Sequence, residues 1–158
     1  MNPTDPEIER LRAGLEAAIA AEDDLGERLA AQEAALKSGG PDDVLDASRA
    51  LEPAFDALRD AMERCRLAVR EIDDRLGIAR ETPLRDVLRH LPDGAAPALE
   101  ERRDALVRAR RRVRAQSSKN AILARGSLDA IRSVKNIMTG QEAPTVGAAS
   151  SGRLDARA

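Results

Sequence analysis

Residues 44–76 read VLDASRALEPAFDALRDAMERCRLAVREIDDRL and carry the most regular apolar pattern in the chain. Apolar or small side chains recur at alternating steps of four and three residues, which places them on one face of an α-helix with the seven-residue repeat of helical bundles. Phe55 and Cys65 belong to this face, so we expect both in the core. Pro53 removes one backbone hydrogen bond within the pattern, and a kink or a new helix start is predicted near 51–53. The positions on this face are Val44, Ser48, Leu51, Phe55, Leu58, Met62, Cys65, Val69, Ile72 and Leu76.

A first helix is predicted before this segment. It begins near Thr4 or Asp5 and ends at 38–41, where the sequence Ser-Gly-Gly-Pro breaks the pattern. Its apolar residues hold a heptad spacing that only Glu22 and Gln32 interrupt. At 1.5 Å per residue, this helix is about 50 Å long. The apolar positions are Ile8, Leu11, Leu15, Ala18, Leu25, Leu29 and Leu36.

Two further helices are predicted after the segment 44–76. Thr82 and Pro83 are a good N-cap and first-turn pair for a short helix over 84–91. The final helix is predicted over about 96–139, with a length of about 65 Å. Because it is longer than the first helix, we expect part of 123–138 to extend beyond the other helices.

These elements predict an all-α fold, an elongated antiparallel bundle of three long helices plus one short helix. A chain of 158 residues with 34% charged and 1% aromatic residues is typical of long helices and of a single domain. We place this domain at residues 1–140. Residues 141–158 read QEAPTVGAASSGRLDARA and are predicted to be a disordered tail, since they are small and polar.

The charge is divided unevenly along the chain. Residues 1–75 contain 10 Lys or Arg against 19 Asp or Glu, a net charge of −9, whereas residues 76–158 contain 16 against 9, a net charge of +7. Opposite charges that flank a helix seam favour pairing. We therefore expect the acidic and basic halves to lie against each other.

Several classes of function are disfavoured. The longest apolar run, Ala17 to Ala21, is far shorter than the roughly 20 residues of a membrane span, and the N-terminus lacks a basic or apolar signal region, so we expect a cytoplasmic protein without membrane insertion. With His90 as the only histidine and Cys65 as the only cysteine, neither a catalytic triad nor a two-histidine metal site is available. We expect no enzyme activity, no metal and no cofactor.

A basic run in the final helix raises the alternative of nucleic-acid binding, which is largely electrostatic. Tyr and Trp are absent, and Phe55 belongs to the predicted core face, so no aromatic stacking platform accompanies the run. We favour a solvated face paired with the acidic helices, without a nucleic-acid partner. The basic residues are Arg102, Arg103, Arg108, Arg110, Arg111, Arg112, Arg114 and Lys119.

The end of the final helix, residues 116–140, reads QSSKNAILARGSLDAIRSVKNIMTG and has an unusually wide apolar face. At 100° per residue, its apolar positions cover roughly half of the circumference, more than one neighbouring helix needs. The face is either the core seam of the bundle or a surface for an amphipathic partner segment. Its width and its interruption by Asn120 and Ser127 favour the partner. The apolar residues are Leu123, Ala124, Leu128, Ile131, Val134, Ile137 and Met138.

This order of residues, followed by a tail of small residues at the end of a short helical protein, resembles the FlgN family. The resemblance implies a cytoplasmic chaperone of flagellar type III export that binds the helical terminal segments of the hook-associated proteins of the hook–filament junction. Its function would be to keep these proteins export-competent and to prevent premature assembly. The residues that match the family's binding surface are Asn120, Leu123, Ser127, Leu128, Ile131, Val134 and Ile137.

The tail departs from the family pattern. Family members often carry a tyrosine shortly after the final helix, whereas Thr145-Val146-Gly147 stands there in this chain, which contains no tyrosine. Docking to the flagellar export gate or its ATPase complex, which the resemblance also implies, is therefore less well supported than substrate binding. A self-associating coiled-coil scaffold, which would use the same apolar face to dimerise, is the alternative to a chaperone.

Overall fold

The computed structural model describes residues 3–78, 82–92 and 94–139, which form helices without a β-strand. None of the helices in these ranges is long and apolar enough to cross a membrane. The all-α prediction is confirmed, whereas the predicted tail at 141–158 lies outside the described residues. The helices are α1 (Asp5–Ser38), α2 (Pro41–Arg49), α3 (Leu51–Leu76), α4 (Leu84–Leu88) and α5 (Ala96–Thr139).

The chain divides into two units, residues 1–123 and residues 124–158. The first unit contains α1 to α4 and the first part of α5. The described part of the second unit is the remainder of α5, residues 124–139.

Local sequence signals account for the helix ends. The Glu7 carboxylate accepts the Thr4 N–H at 2.7 Å at the start of α1, and the Asp43 carboxylate accepts the Gly40 N–H at 2.8 Å at the start of α2. Gly77 ends α3 in the left-handed conformation, with φ of 68°. The break predicted near Pro53 is confirmed, since α3 begins two residues before this proline, which then lies in the first turn.

The long helices of the first unit run up, down and up. Contacts of Glu7 with Arg75 at 2.8 Å and of Arg28 with the Ala50 carbonyl at 3.1 Å show that α1 and α3 are antiparallel. Arg102, Arg112 and Asn120 of α5 contact Glu16, Asp23 and Leu29 of α1 in the same order, so these two helices are parallel. The main core cluster consists of Leu11, Leu15, Ala18, Ala61, Cys65, Ala68, Ile72, Val87, Leu88, Leu91, Leu99 and Leu106.

The prediction for Phe55 is wrong, although that for Cys65 is confirmed. Phe55 is 52% exposed, and the neighbouring Ala54 is buried instead. Leu51, Cys65 and Ile72 keep their predicted buried places, but Ala54, Ala61 and Ala68 fill the core positions between them, one residue before the predicted Phe55, Met62 and Val69. Small residues of α3 therefore face α1, and the large Phe55 side chain lies outside the core.

The close approach of α1 and α3 depends on Gly14. A Cβ atom at this position would lie 3.1 Å from the Cys65 Sγ atom and 3.3 Å from the Cys65 Cα and N atoms. The backbone of a packed helix cannot move aside as a flexible side chain can. By contrast, a Cβ atom on Gly26 of the same helix would meet only the Val113 Cγ2 atom, at 3.7 Å.

We predict that Gly26→Ala and Gly14→Ala change stability in opposite directions. Gly26→Ala gains about 0.5–1 kcal/mol, because glycine costs that much inside a helix. In Gly14→Ala the added methyl group overpacks the contact with Cys65, which typically costs about 1–3 kcal/mol. This cost exceeds the helix gain, so the variant is less stable than the wild type. Urea unfolding of the two variants measures the difference. Equal stabilisation by both substitutions would show that the α1–α3 contact has room at Gly14.

Asp73 is a buried acid near the C-terminal end of α3. Its side chain is 1% exposed, and neither carboxylate oxygen has a hydrogen-bond partner. Burial, together with the nearby charge of Asp74, raises the pKa of the Asp73 carboxyl above its usual value. The charged form of Asp73 therefore destabilises the fold at neutral pH.

We predict that Asp73→Asn stabilises the protein by about 1 kcal/mol or more at pH 7, because it removes an unpaired buried charge. The pKa of Asp73 is higher in the folded than in the unfolded protein, so the stability of the wild type falls as the pH rises through the folded-state pKa. At about pH 3 Asp73 is protonated in both states, and the gain from the substitution disappears. Thermal unfolding at several pH values measures both effects. Asp60→Asn, an exposed change on the same helix, serves as the control. A loss of stability in Asp73→Asn at pH 7 would contradict this interpretation.

Candidate functional site

The described part of the second unit exposes a row of large apolar side chains, which we name the C-terminal apolar stripe. Their exposed fractions range from 53% to 82%. In a helix they fall within one half of the circumference. Met138 is the most exposed of them and was not included in the predicted surface. The stripe consists of Leu128, Ile131, Val134, Ile137 and Met138.

The other side of this helical segment is polar. Arg132 forms an ion pair with Asp129 at 3.6 Å, and the Ser133 hydroxyl donates to the Asp129 carbonyl at 2.9 Å. The segment is therefore amphipathic, with polar groups that pair locally and an apolar side that is exposed. Of the other predicted surface residues, Ser127 is exposed and Leu123 is half-buried.

Asn120 differs from the rest of the predicted surface, because it is buried with 4% exposure. Its side-chain amide donates to the Leu29 carbonyl at 2.8 Å and to the Gln32 side-chain oxygen at 2.9 Å. Gln116 in turn donates to the Asn120 side-chain oxygen at 3.1 Å. The Asn120 amide is thus engaged by hydrogen bonds to α1. The polar residue that interrupts the predicted apolar face is explained by these buried hydrogen bonds.

Glu33 completes this group of polar contacts between α1 and α5. Its carboxylate accepts hydrogen bonds from Lys119 at 2.7 Å, from Lys37 and from Gln116. These contacts lower the pKa of Glu33 to about 2. The hydrogen bond from Lys119 has the largest effect, followed by that from Lys37. The group, which we name the polar clamp, consists of Leu29, Gln32, Glu33, Gln116, Lys119 and Asn120.

We predict that Asn120→Ala destabilises the first unit by about 1–3 kcal/mol, because it removes two buried hydrogen bonds, to the Leu29 carbonyl and to the Gln32 side chain. Ser118→Ala, an exposed change two residues earlier, should alter stability by less than about 0.5 kcal/mol. Urea unfolding followed by circular dichroism measures both. Equal stability of the two variants would mean that the clamp contributes nothing.

The basic run of α5 pairs with acids of α1, as the charge division predicted. Arg102 binds Glu16 at 2.8 Å, and Arg112 binds Asp23 at 2.8 Å. Arg110 binds Glu22 at 3.1 Å, which explains why a glutamate with 2% exposure interrupts the heptad pattern of α1. Opposite charges therefore hold α5 along α1.

The described residues offer no group of three or more His, Cys, Asp or Glu side chains that could hold a metal ion. His90 is exposed. Cys65 is buried, and burial raises the pKa of its thiol, which keeps it in the unreactive neutral form. The exposed apolar stripe is thus the feature of these residues that is best suited to binding a partner.

A comparison with protein families decides the wider identity of the chain. The family model described as FlgN protein matches residues 1–150. The chain belongs to the FlgN family. FlgN proteins are flagellar export chaperones, a class that acts by binding other proteins and not by catalysis. No curated protein and no solved structure matches the chain. Membership of the FlgN family agrees with the resemblance of residues 120–140 and with the helical fold.

Proposed function

We propose that this FlgN-family protein binds the helical terminal segments of hook-associated proteins in the cytoplasm and keeps them competent for flagellar type III export. The observation that carries this proposal is the C-terminal apolar stripe. Contiguous exposed apolar surface is uncommon in soluble proteins outside binding sites. An amphipathic helix that presents such a row recognises a complementary helix or groove through anchors spaced three and four residues apart.

The size of the stripe suits this role. Complete burial of an aliphatic side chain contributes about 1.5–3 kcal/mol, and the five stripe residues still have half or more of their surface to bury. Their sum is of the same order as the roughly 8 kcal/mol of a micromolar complex, before the cost of association is subtracted. Binding therefore needs most of the stripe, and the loss of two anchors should remove it.

The proposed surface consists of the stripe together with Leu123 and Ser127. Asn120, which the resemblance also implies, acts by holding α5 to α1 instead of contacting the partner. In a hook-associated protein, the matching helix would be apolar along one face and prone to aggregation or early assembly when exposed. Covering that face would preserve the segment until export.

We predict that Leu128→Asp combined with Ile131→Asp abolishes binding of the C-terminal helical segment of a hook-associated protein from the same organism. Wild-type protein should bind this segment with 1:1 stoichiometry, because the stripe offers one continuous face. Two charges on that face would have to be buried without partners. Isothermal titration calorimetry measures the affinity, and native mass spectrometry measures the stoichiometry.

The matched control is Ile122→Asp combined with Ser133→Asp. It adds the same two charges to α5 at exposed positions that lie off the stripe, so binding should be retained. Circular dichroism checks that both double variants keep wild-type helicity. Binding that survives in the Leu128/Ile131 variant would overturn the site. A stable homodimer that does not bind the segment would favour the scaffold alternative.

A further inference from the structure

A second apolar surface lies entirely within the first unit, between α1, α3 and α5. It is a groove of about 490 Å³ whose floor is formed by the buried Leu25 and Leu29 of α1. Leu58 and Met62 of α3 line one side, and Val113 of α5 lines the other. Phe55 also lines the groove and leaves half of its ring exposed. We name this surface the Phe55 groove.

Phe55 is the only Phe, Tyr or Trp residue of the chain, and half of its surface is exposed. Beneath the groove lies a small core cluster of Leu25, Leu29, Leu51 and Ala54, separate from the main cluster. A half-exposed aromatic side chain beside buried leucines is a common anchor of protein interfaces, because it supplies large contact area at low entropic cost.

The rim of the groove on α5 is basic. Glu22 is the only acid among the lining residues, and Arg110 already neutralises it at 3.1 Å. Arg114 is exposed, and among the contacts of the described residues it has no acidic partner. The exposed hydroxyls of Ser117 and Ser118 continue the polar rim. The groove therefore combines an apolar floor with an unneutralised positive charge.

We propose that the Phe55 groove docks an amphipathic helical segment of a partner protein whose apolar face is flanked by acidic residues. The rim residues span 110–118 of α5, about 12 Å or two helical turns. An occupant of two to three turns would place aliphatic anchors three and four residues apart over the accessible parts of Phe55, Leu58 and Met62. Its carboxylates would pair with Arg114. This site shares no residue with the C-terminal apolar stripe and does not depend on it.

The test uses the full chain with Leu128→Asp and Ile131→Asp, so that peptide binding reports on the groove alone. Two designed helical peptides carry the same leucine positions, and the flanking residues are Glu in one and Lys in the other. Fluorescence anisotropy at low and high salt measures their affinities. The Glu peptide should bind at least about tenfold more tightly than the Lys peptide, and this preference should weaken with salt.

Two groove variants and two matched controls locate the binding. Phe55→Ser and Arg114→Glu should each weaken the Glu peptide at least about tenfold. Leu67→Ser replaces an equally exposed apolar side chain of α3 outside the groove, and Arg108→Glu replaces an exposed arginine of α5 outside it. Both controls should stay within about twofold of the parent. All four positions are at the surface, so helicity should be unchanged.

Three outcomes would overturn the proposal. The first is equal binding of the two peptides or no binding of the Glu peptide. The second is binding of a single-stranded oligonucleotide to the parent chain that displaces the Glu peptide and is lost in Arg114→Glu. The rim would then be a nucleic-acid site. The third is a homodimer, seen by sedimentation, that Phe55→Ser dissociates, since the occupant would then be a second copy.

Discussion

The pairing of acidic α1 with basic α5 is the interaction on which the rest of the structure depends. Leu99 and Leu106 of α5 share the main core cluster with α1, and charged groups of both helices flank this apolar contact. Glu22 lies at the centre, almost fully buried and bonded to Arg110. Breaking such a pair would leave a buried charge without compensation, so the arrangement specifies one register of α5 against α1. The polar clamp fixes the same register at Lys119 and Asn120, nine and ten residues after Arg110 along α5.

This register decides which apolar residues are left for binding. Within the first unit, α5 contributes Val113 to the side of the Phe55 groove and Arg114 to its rim. In the second unit the large apolar residues of α5 remain exposed. A chaperone must keep such surface available without aggregating, and a chain of which 34% of the residues are charged serves this need.

The helices could be predicted from sequence because their signals are local. Gly77, Pro53 and the Ser-Gly-Gly-Pro turn act within a few residues, and the end of α1 and both ends of α3 follow from them. Phe55 and Asn120 could not be placed, because their positions depend on contacts between helices. In α3 the alanines that precede the predicted positions by one residue, such as Ala54, pack in the core, and Phe55 lies outside it. The buried Asn120 side chain donates a hydrogen bond to the Leu29 carbonyl. These two residues are 91 positions apart, and no spacing rule identifies such a pair.

The candidate site divides in the same way. The periodicity of 123–138 predicts an apolar face and the length of the final helix predicts that part of it is left uncovered, but the structure was needed to show which residues, among them Leu128 and Ile131, are exposed. Periodicity alone cannot separate a core seam from a binding face, because both have the same spacing. The Phe55 groove had no sequence signal, since its lining comes from three helices.

Hydrogen–deuterium exchange of the full chain, with and without the C-terminal helical segment of a hook-associated protein, tests the role of the C-terminal apolar stripe most directly. We expect slower exchange of amides in 124–139 on binding, with α1 and α3 unchanged, because the partner covers and stabilises the exposed part of α5. Slower exchange confined to α1 and α3, with 124–139 unchanged, would contradict the claim that the C-terminal apolar stripe is the binding surface.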